Sequence, residues 1–364
     1  MMINKNKIIF IAEAGVNHNG DIDRAFQLID TAANAGADII KFQYYKTEKL
    51  LIKDTPKAEY QKNNTNILES QFEMLKKLEL NRSDIKKIID RCNKKNIEFL
   101  ATPFDEESLD ELVSFGIKRI KIPSGEITNG PLLVKSARSN LPLIVSTGMS
   151  NMNEIEDALG LIVFTYLEKN RDISSKSEIK KYLYTDSFYS LLSKYITLLH
   201  CTSQYPAPLD SINLNSMSEI SRKFNVPIGY SDHSEGSVVT IASAALGATV
   251  IEKHFTLDKN LPGPDHKASI EPNELNHLIK SIREVEVALG SEIKQSLKSE
   301  ECNKFVARKS LTARKEIIKG TEFTRDNLIA LRPGNGVSPM KIWDLIGKKA
   351  NKNYKSGEPI QNIW

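Results

Sequence analysis

The chain has 364 residues, 40% hydrophobic and 26% charged, and its 50 basic and 46 acidic side chains leave a formal charge of +4. That balance is ordinary for a globular protein and excludes the basic footprint of a nucleic-acid binder. No apolar run nears the roughly 20 residues that cross a bilayer. Cys92, Cys201 and Cys302 are too widely spaced for a metal knuckle or a disulfide framework, which predicts reduced thiols and a cytoplasmic setting. The opening MMINKNKIIFIAEAG is broken by Glu13 and lacks the shape of a signal peptide.

Short apolar runs then recur, and each ends in something polar. Residues 7–12 (KIIFIA) end at Glu13, and residues 39–42 (IIKF) carry Lys41 and lead to Gln43. Residues 97–101 (IEFLA) end at Thr102, and residues 119–123 (RIKIP) carry Lys121 and end in Ser124-Gly125-Glu126. Residues 142–145 (PLIV) end in Ser146, residues 196–199 (ITLL) in His200, and residues 226–230 (VPIGY) in Ser231-Asp232-His233. The eighth run, VIEKHF, contains His254. Segments with helical spacing separate the runs: 22–35, 83–95, 106–115, 131–139, 152–168, 215–224 and 236–247, with a last one at 273–289. Gly36 stands where a C-cap is expected. Eight strand–helix units in series predict an α/β TIM (β/α)8 barrel rather than an open sheet.

In such a barrel the C-terminal strand ends converge on one mouth. Any single polar terminus is equally a helix cap or turn residue, but eight in register point to a site. The mouth is expected to gather Glu13, Lys41, Gln43, Thr102, Lys121, Ser124, Glu126, Ser146, Ser231, Asp232, His233 and His254. Two lysines among hydroxyls suit a small, multiply charged anion such as a phosphorylated acid. His233 and His254, at the ends of neighbouring strands, read as a pair of ligands for a divalent metal. A lone histidine would read as structural.

The barrel is expected to span residues 1–290, with a linker at 291–304 and a small domain at 305–364. Arg332 precedes PGNG in that domain and reads as a solvated loop residue or as a lid contact. Residues 160–195 are long for a link between strands five and six; Tyr182, Tyr184, Phe188 and Tyr189 there suggest an elaborated helix with a surface loop, or a partner surface.

These residues resemble the sialic acid synthase family, which includes the legionaminic acid synthases. The carriers are IAEAGVNHNG, KFQ, PKAEYQ, TPFD, KIPSGE, STGM, HCTSQYPAP, GYSDH, EKHFTLDKNLPGPDH, ARKSL and RPGNGVSPM, in order along nearly the whole chain. The resemblance implies a barrel followed by an antifreeze-like (SAF) domain that covers the partner's site in a domain-swapped homodimer. It implies Mn2+ as cofactor, with Mg2+ or Co2+ as alternatives, held by His233 and His254. Lys41, Thr102, Lys121, Ser124, Ser146 and Ser231 match positions around phosphoenolpyruvate. Gln43, Asn64, Tyr205, Asp265 and Arg332 match positions on the sugar side, and Glu126, Glu13 and Lys121 match catalytic ones. The implied reaction joins phosphoenolpyruvate to an N-acetylated hexosamine. N-Acetylneuraminate is the first expected product, and N,N'-diacetyllegionaminate is the alternative. A non-catalytic sugar-binding protein and an ice binder are the rival readings; the complete set of metal, phosphate and proton-transfer candidates argues against the first, and the small domain's short length, linker and Arg332 favour a lid over the second.

Overall fold

The structure is a computed structural model that describes residues 7–65 and 67–361. The chain divides into two compact units, residues 1–290 and residues 291–364.

In the first unit eight parallel strands form the sheet: β1 (Ile9–Gly15), β2 (Ile39–Tyr44), β3 (Glu98–Pro103), β4 (Ile120–Ile122), β5 (Leu143–Ser146), β6 (Ile196–Cys201), β7 (Ile228–Asp232) and β8 (Val250–His254). Their order is β3-β2-β1-β8-β7-β6-β5-β4, so the first strand pairs with the last, and β3 and β4 pack side by side at the remaining seam. This is the expected TIM-type barrel. Each strand is followed by a helix. Ile22–Asn34 shows why: Asp21 accepts from the N–H groups of Asp23 and Arg24, a cap worth about 1 kcal/mol. Its buried face carries Leu28 and Ile29, each contributing about 2 kcal/mol, so packing outweighs the cap. Helix Arg82–Lys95 starts on Asn81 and ends at Asn96, which takes the left-handed conformation at φ 53°.

Strand alternation sorts the side chains into two cores. Phe10, Ala12, Ile40 and Phe42 belong to the large core between sheet and helices. Ile11, Ile39, Leu100, Ile144, Leu199 and Val250 form a separate apolar layer inside the barrel. Two residues further along, the same inward faces carry Glu13, Lys41, Thr102, Ser146 and Glu252. An apolar floor therefore supports a charged layer at the C-terminal strand ends.

Residues 160–195 comprise the second half of helix Met152–Leu167, a short helix Lys176–Ile179 and helix Asp186–Tyr195, which runs directly into β6. Phe188 is fully buried there, and Tyr182 packs edge-on against Phe164 at 5.3 Å. These aromatics serve mainly as local core, as in the plainer of the two readings.

In the second unit β9 (Ser310–Ala313) pairs antiparallel with β10 (Leu328–Leu331). Leu311, Ile317, Phe323, Leu328, Leu345 and Tyr354 belong to its core. Residues 291–304, read from sequence as a linker, group with this unit and lead into helix Glu301–Ala307. No described helix is long and apolar enough to cross a membrane.

Candidate active site

A cavity of about 360 Å³ opens above the apolar floor. It is lined by Glu13, Lys41, Gln43, Thr102, Lys121, Ser124, Ser146, Tyr205, Ser231, His233, His254 and Asp265. All the expected site residues except Glu126, Asp232, Asn64 and Arg332 are among its lining residues.

Four buried charges occupy its base. Lys41 Nζ lies 2.8 Å from Glu13 Oε2, 3.7 Å from Glu252 Oε1 and 2.9 Å from Thr102 Oγ1. Lys121 Nζ lies 3.6 Å from the same Glu252 oxygen and donates to Ser146 Oγ at 2.7 Å. Ser231 Oγ donates to Glu252 Oε1 at 3.2 Å. Two lysines and two carboxylates are formally neutral together, and that balance lets them share a buried layer.

Their environments differ. Burial raises the Glu13 carboxyl to about 7, with Lys41 opposing and Glu252 adding to the rise. Burial pushes Glu252 the same way, but Lys121 and Lys41 together overcome it and hold this carboxyl below its usual value. Burial lowers the Lys121 ammonium, against the pull of Glu252. The site thus holds one carboxylate fixed as an anion and one poised to gain or lose a proton near neutrality, the arrangement proton transfer requires.

Glu13 pairs in register with Lys41 on one side and His254 on the other. The β1–β2 register shifts between Glu13 and Gly15, and Gly15 has φ +52°, a bulge that re-aims the strand end. A Cβ on Gly15 would lie 3.3 Å from Glu13 Oε1 and 3.7 Å from His254 Cε1, so glycine keeps that corner open. Gly148 is tighter. A Cβ there would come within 2.8 Å of Ser203 Oγ, Ser124 Oγ and Cys201 Sγ, and its N–H donates to Ser124 Oγ at 3.0 Å.

The imidazoles of His233 and His254 have centroids 5.6 Å apart, with Tyr205 4.2 Å from His233. His233 Nδ1 lies 2.6 Å from the carbonyl of Thr202. That bond places the proton on Nδ1 and leaves the Nε2 lone pair for a ligand. Burial lowers His233 to about 4 and His254 well below its usual value, so both rings are neutral. His254 Nδ1 and Glu252 Oε2 are buried without a hydrogen-bond partner, and such orphans mark a place built for a ligand. Among the described residues no cluster of three or more His, Cys, Asp or Glu side chains offers a fuller metal cage. The donor set for a cation is therefore two imidazoles, with the remaining positions left to water or substrate, and these residues fit an open divalent site.

Tyr60 packs against Tyr205, with ring centroids 5.0 Å apart and planes tilted by 30°. Burial raises Asp265 to about 6, against a hydrogen bond from Tyr60. Tyr60 was not anticipated from sequence. Nothing in PKAEYQ indicates that helix Glu59–Thr65 brings Tyr60 to the cavity wall. Glu252, whose i, i+2 spacing to His254 puts both on one face, pairs with its neighbours Lys41 and Lys121, one of the two roles its sequence position suggests.

Three expected placements require correction. Glu126 closes a 3-10 turn, Ser124–Glu126, that carries its side chain off the cavity, where Asn129 Nδ2 donates to it at 2.6 Å. Asp232, expected at the mouth, lies on the outer face of β7 and pairs with Lys253. Asn64 donates to the carbonyl of Pro264 at 2.7 Å, so it braces the segment that carries Asp265 instead of lining the cavity. Arg332 lies where the sequence places it, exposed on the second unit.

Comparison with known proteins follows the same division. The NeuB family model matches residues 28–294, and the SAF domain model matches residues 308–362. The chain is 47% identical to the N,N'-diacetyllegionaminic acid synthase of Campylobacter jejuni, over 98% of this chain and 99% of the relative. It is 44% identical to the enzyme of that name from Legionella pneumophila, over 97% of this chain and 93% of the relative. The crystal structure of the N-acetylneuraminic acid (sialic acid) synthetase of Leptospira borgpetersenii, in complex with citrate, matches with TM-score 0.66 and 32% identity, over 83% of this chain and 94% of that one.

Proposed function

The chain belongs to the NeuB family, and we propose that it is an N,N'-diacetyllegionaminate synthase, condensing phosphoenolpyruvate with 2,4-diacetamido-2,4,6-trideoxymannose and water to give the nine-carbon acid and phosphate. The observation that carries the choice of sugar is the full-length identity of 47% and 44% to two N,N'-diacetyllegionaminic acid synthases, against 32% to a sialic acid synthetase. This favours the second of the two expected products.

Lys41 and Lys121, with Thr102, Ser124, Ser146 and Ser231, would bind phosphoenolpyruvate. Its anionic groups would share both ammonium groups with Glu252. His233 and His254 would hold a divalent cation, Mn2+ in our reading, which when bound supplies Lewis-acid polarisation of the sugar aldehyde. Tyr205 and Asp265 would orient the open-chain sugar so that its aldehyde carbon faces the phosphoenolpyruvate methylene. The C–C bond forms between those two carbons. Water adds to the former C2 of phosphoenolpyruvate, and the C–O bond to phosphate then breaks. One proton passes from the water to the aldehyde oxygen, and the remaining hydroxyl proton leaves with phosphate as the C2 ketone forms. Glu13, adjacent to His254 and titrating near neutrality, is the group that moves the first of these. Glu126, held by Asn129, has no part in this scheme.

The bond that breaks can be tested directly. With phosphoenolpyruvate labelled with 18O at the bridging oxygen, C–O cleavage sends the label out in the phosphate. Label retained in the sugar product would contradict the scheme.

A further inference from the structure

His233 Nδ1 is anchored to Thr202, but His254 has no such tether, because its Nδ1 makes no hydrogen bond. The place of the His254 ring is therefore set by the backbone of β8. Strand alternation turns Ser231 and His233, like Glu252 and His254, into the cavity, and turns Asp232 and Lys253 to the opposite face. These two are direct partners in the β7–β8 register. Lys253 Nζ lies 2.8 Å from Asp232 Oδ2 and donates to the carbonyl of Ser234 at 2.7 Å. Asp232 Oδ1 accepts from the Ser234 N–H at 2.8 Å and its hydroxyl at 2.7 Å, and Thr240 of helix Val238–Ala245 donates to Oδ2. Both side chains are almost wholly buried.

A fully buried ion pair is a poor source of stability, since apolar replacements of like volume are often neutral or better. What this pair does supply is a rigid clamp between two strands. Each of its members is the backbone neighbour of one imidazole-bearing residue. We propose that Asp232 and Lys253 are positioning residues, an ion pair behind the barrel wall that fixes the separation of His233 and His254 and so sets their affinity for a divalent cation. The inference rests on the reading of those imidazoles as the cation's ligands.

The test titrates full-length protein with Mn2+ alone by calorimetry and follows thermal unfolding in parallel. Asp232→Asn combined with Lys253→Met removes both charges together and keeps an acceptor for the Ser234 N–H. It should unfold at the wild-type temperature or higher and bind Mn2+ about ten- to a hundredfold more weakly. Thr240→Val, which trims one bond and keeps both charges, should weaken Mn2+ binding by a smaller factor. Wild-type Mn2+ affinity in both variants, or a double variant that does not fold, overturns the inference. His233→Ala and His254→Ala keep the two ideas apart. If they bind Mn2+ as wild type does, the ligand reading itself falls. If they lose it while the double variant keeps it, only the clamp is lost.

Discussion

Glu13 and Glu252 lie in one buried layer and share Lys41 as a neighbour, yet their carboxyls are pushed in opposite directions. The difference is the number of cations each meets. Glu252 takes charge from both lysines, whereas Glu13 has Lys41 at contact distance and Glu252 as a repelling neighbour. Each residue therefore has its own expected phenotype. Glu13→Gln should lower kcat about a hundredfold or more and leave the KM for phosphoenolpyruvate near wild type; steady-state kinetics would show it, and an unchanged kcat would remove Glu13 from proton transfer. Glu252→Gln should act on the fold as well, because it leaves two buried ammonium groups short of a counter-charge. A loss of about 3 kcal/mol in urea-induced unfolding is expected, and a stability unchanged from wild type would contradict the four-charge layer.

At the scale of elements, the barrel was legible because its signal is repeated. Eight apolar runs ending in polar residues survive errors at any one of them, and β4, only Ile120–Ile122, is found as part of the series more readily than alone. The residues that line the mouth were legible for the same reason. What the sequence concealed was direction at the places where the strand geometry stops. A strand continued through KIPSGE gives no sign that the chain turns into a 3-10 helix after Pro123 and takes Glu126 away. Asp232 beside His233 looks like a mouth residue until the period of two assigns it to the outer face. The loops also carry tight steric requirements that composition does not show. Gly148→Ala should cost about 1–3 kcal/mol through overpacking against Ser203, Ser124 and Cys201, whereas Gly125→Ala, which meets nothing within 4 Å, should be nearly neutral. Equal stabilities for the two variants would show that the strand-five loop is looser than its contacts imply.

At the scale of the whole molecule, the proposed reaction joins an anionic three-carbon substrate to an aldehyde over a formally neutral layer of two lysines and two carboxylates in a NeuB-family barrel. The family resemblance implies that Arg332, exposed on the small unit, serves the partner's site in a homodimer. An Arg332→Ala chain mixed with a His254→Ala chain should recover activity in mixed dimers, and verified mixed dimers without activity would deny the partner's arginine a part. The most direct measurement compares kcat/KM for phosphate release from phosphoenolpyruvate with two sugars, in the presence of Mn2+. A site built to hydrogen-bond a second acetamido group rejects an analogue lacking it, so 2,4-diacetamido-2,4,6-trideoxymannose should exceed N-acetylmannosamine by at least about a hundredfold. Equal or greater turnover of N-acetylmannosamine, or no phosphate release with either sugar, would contradict the account.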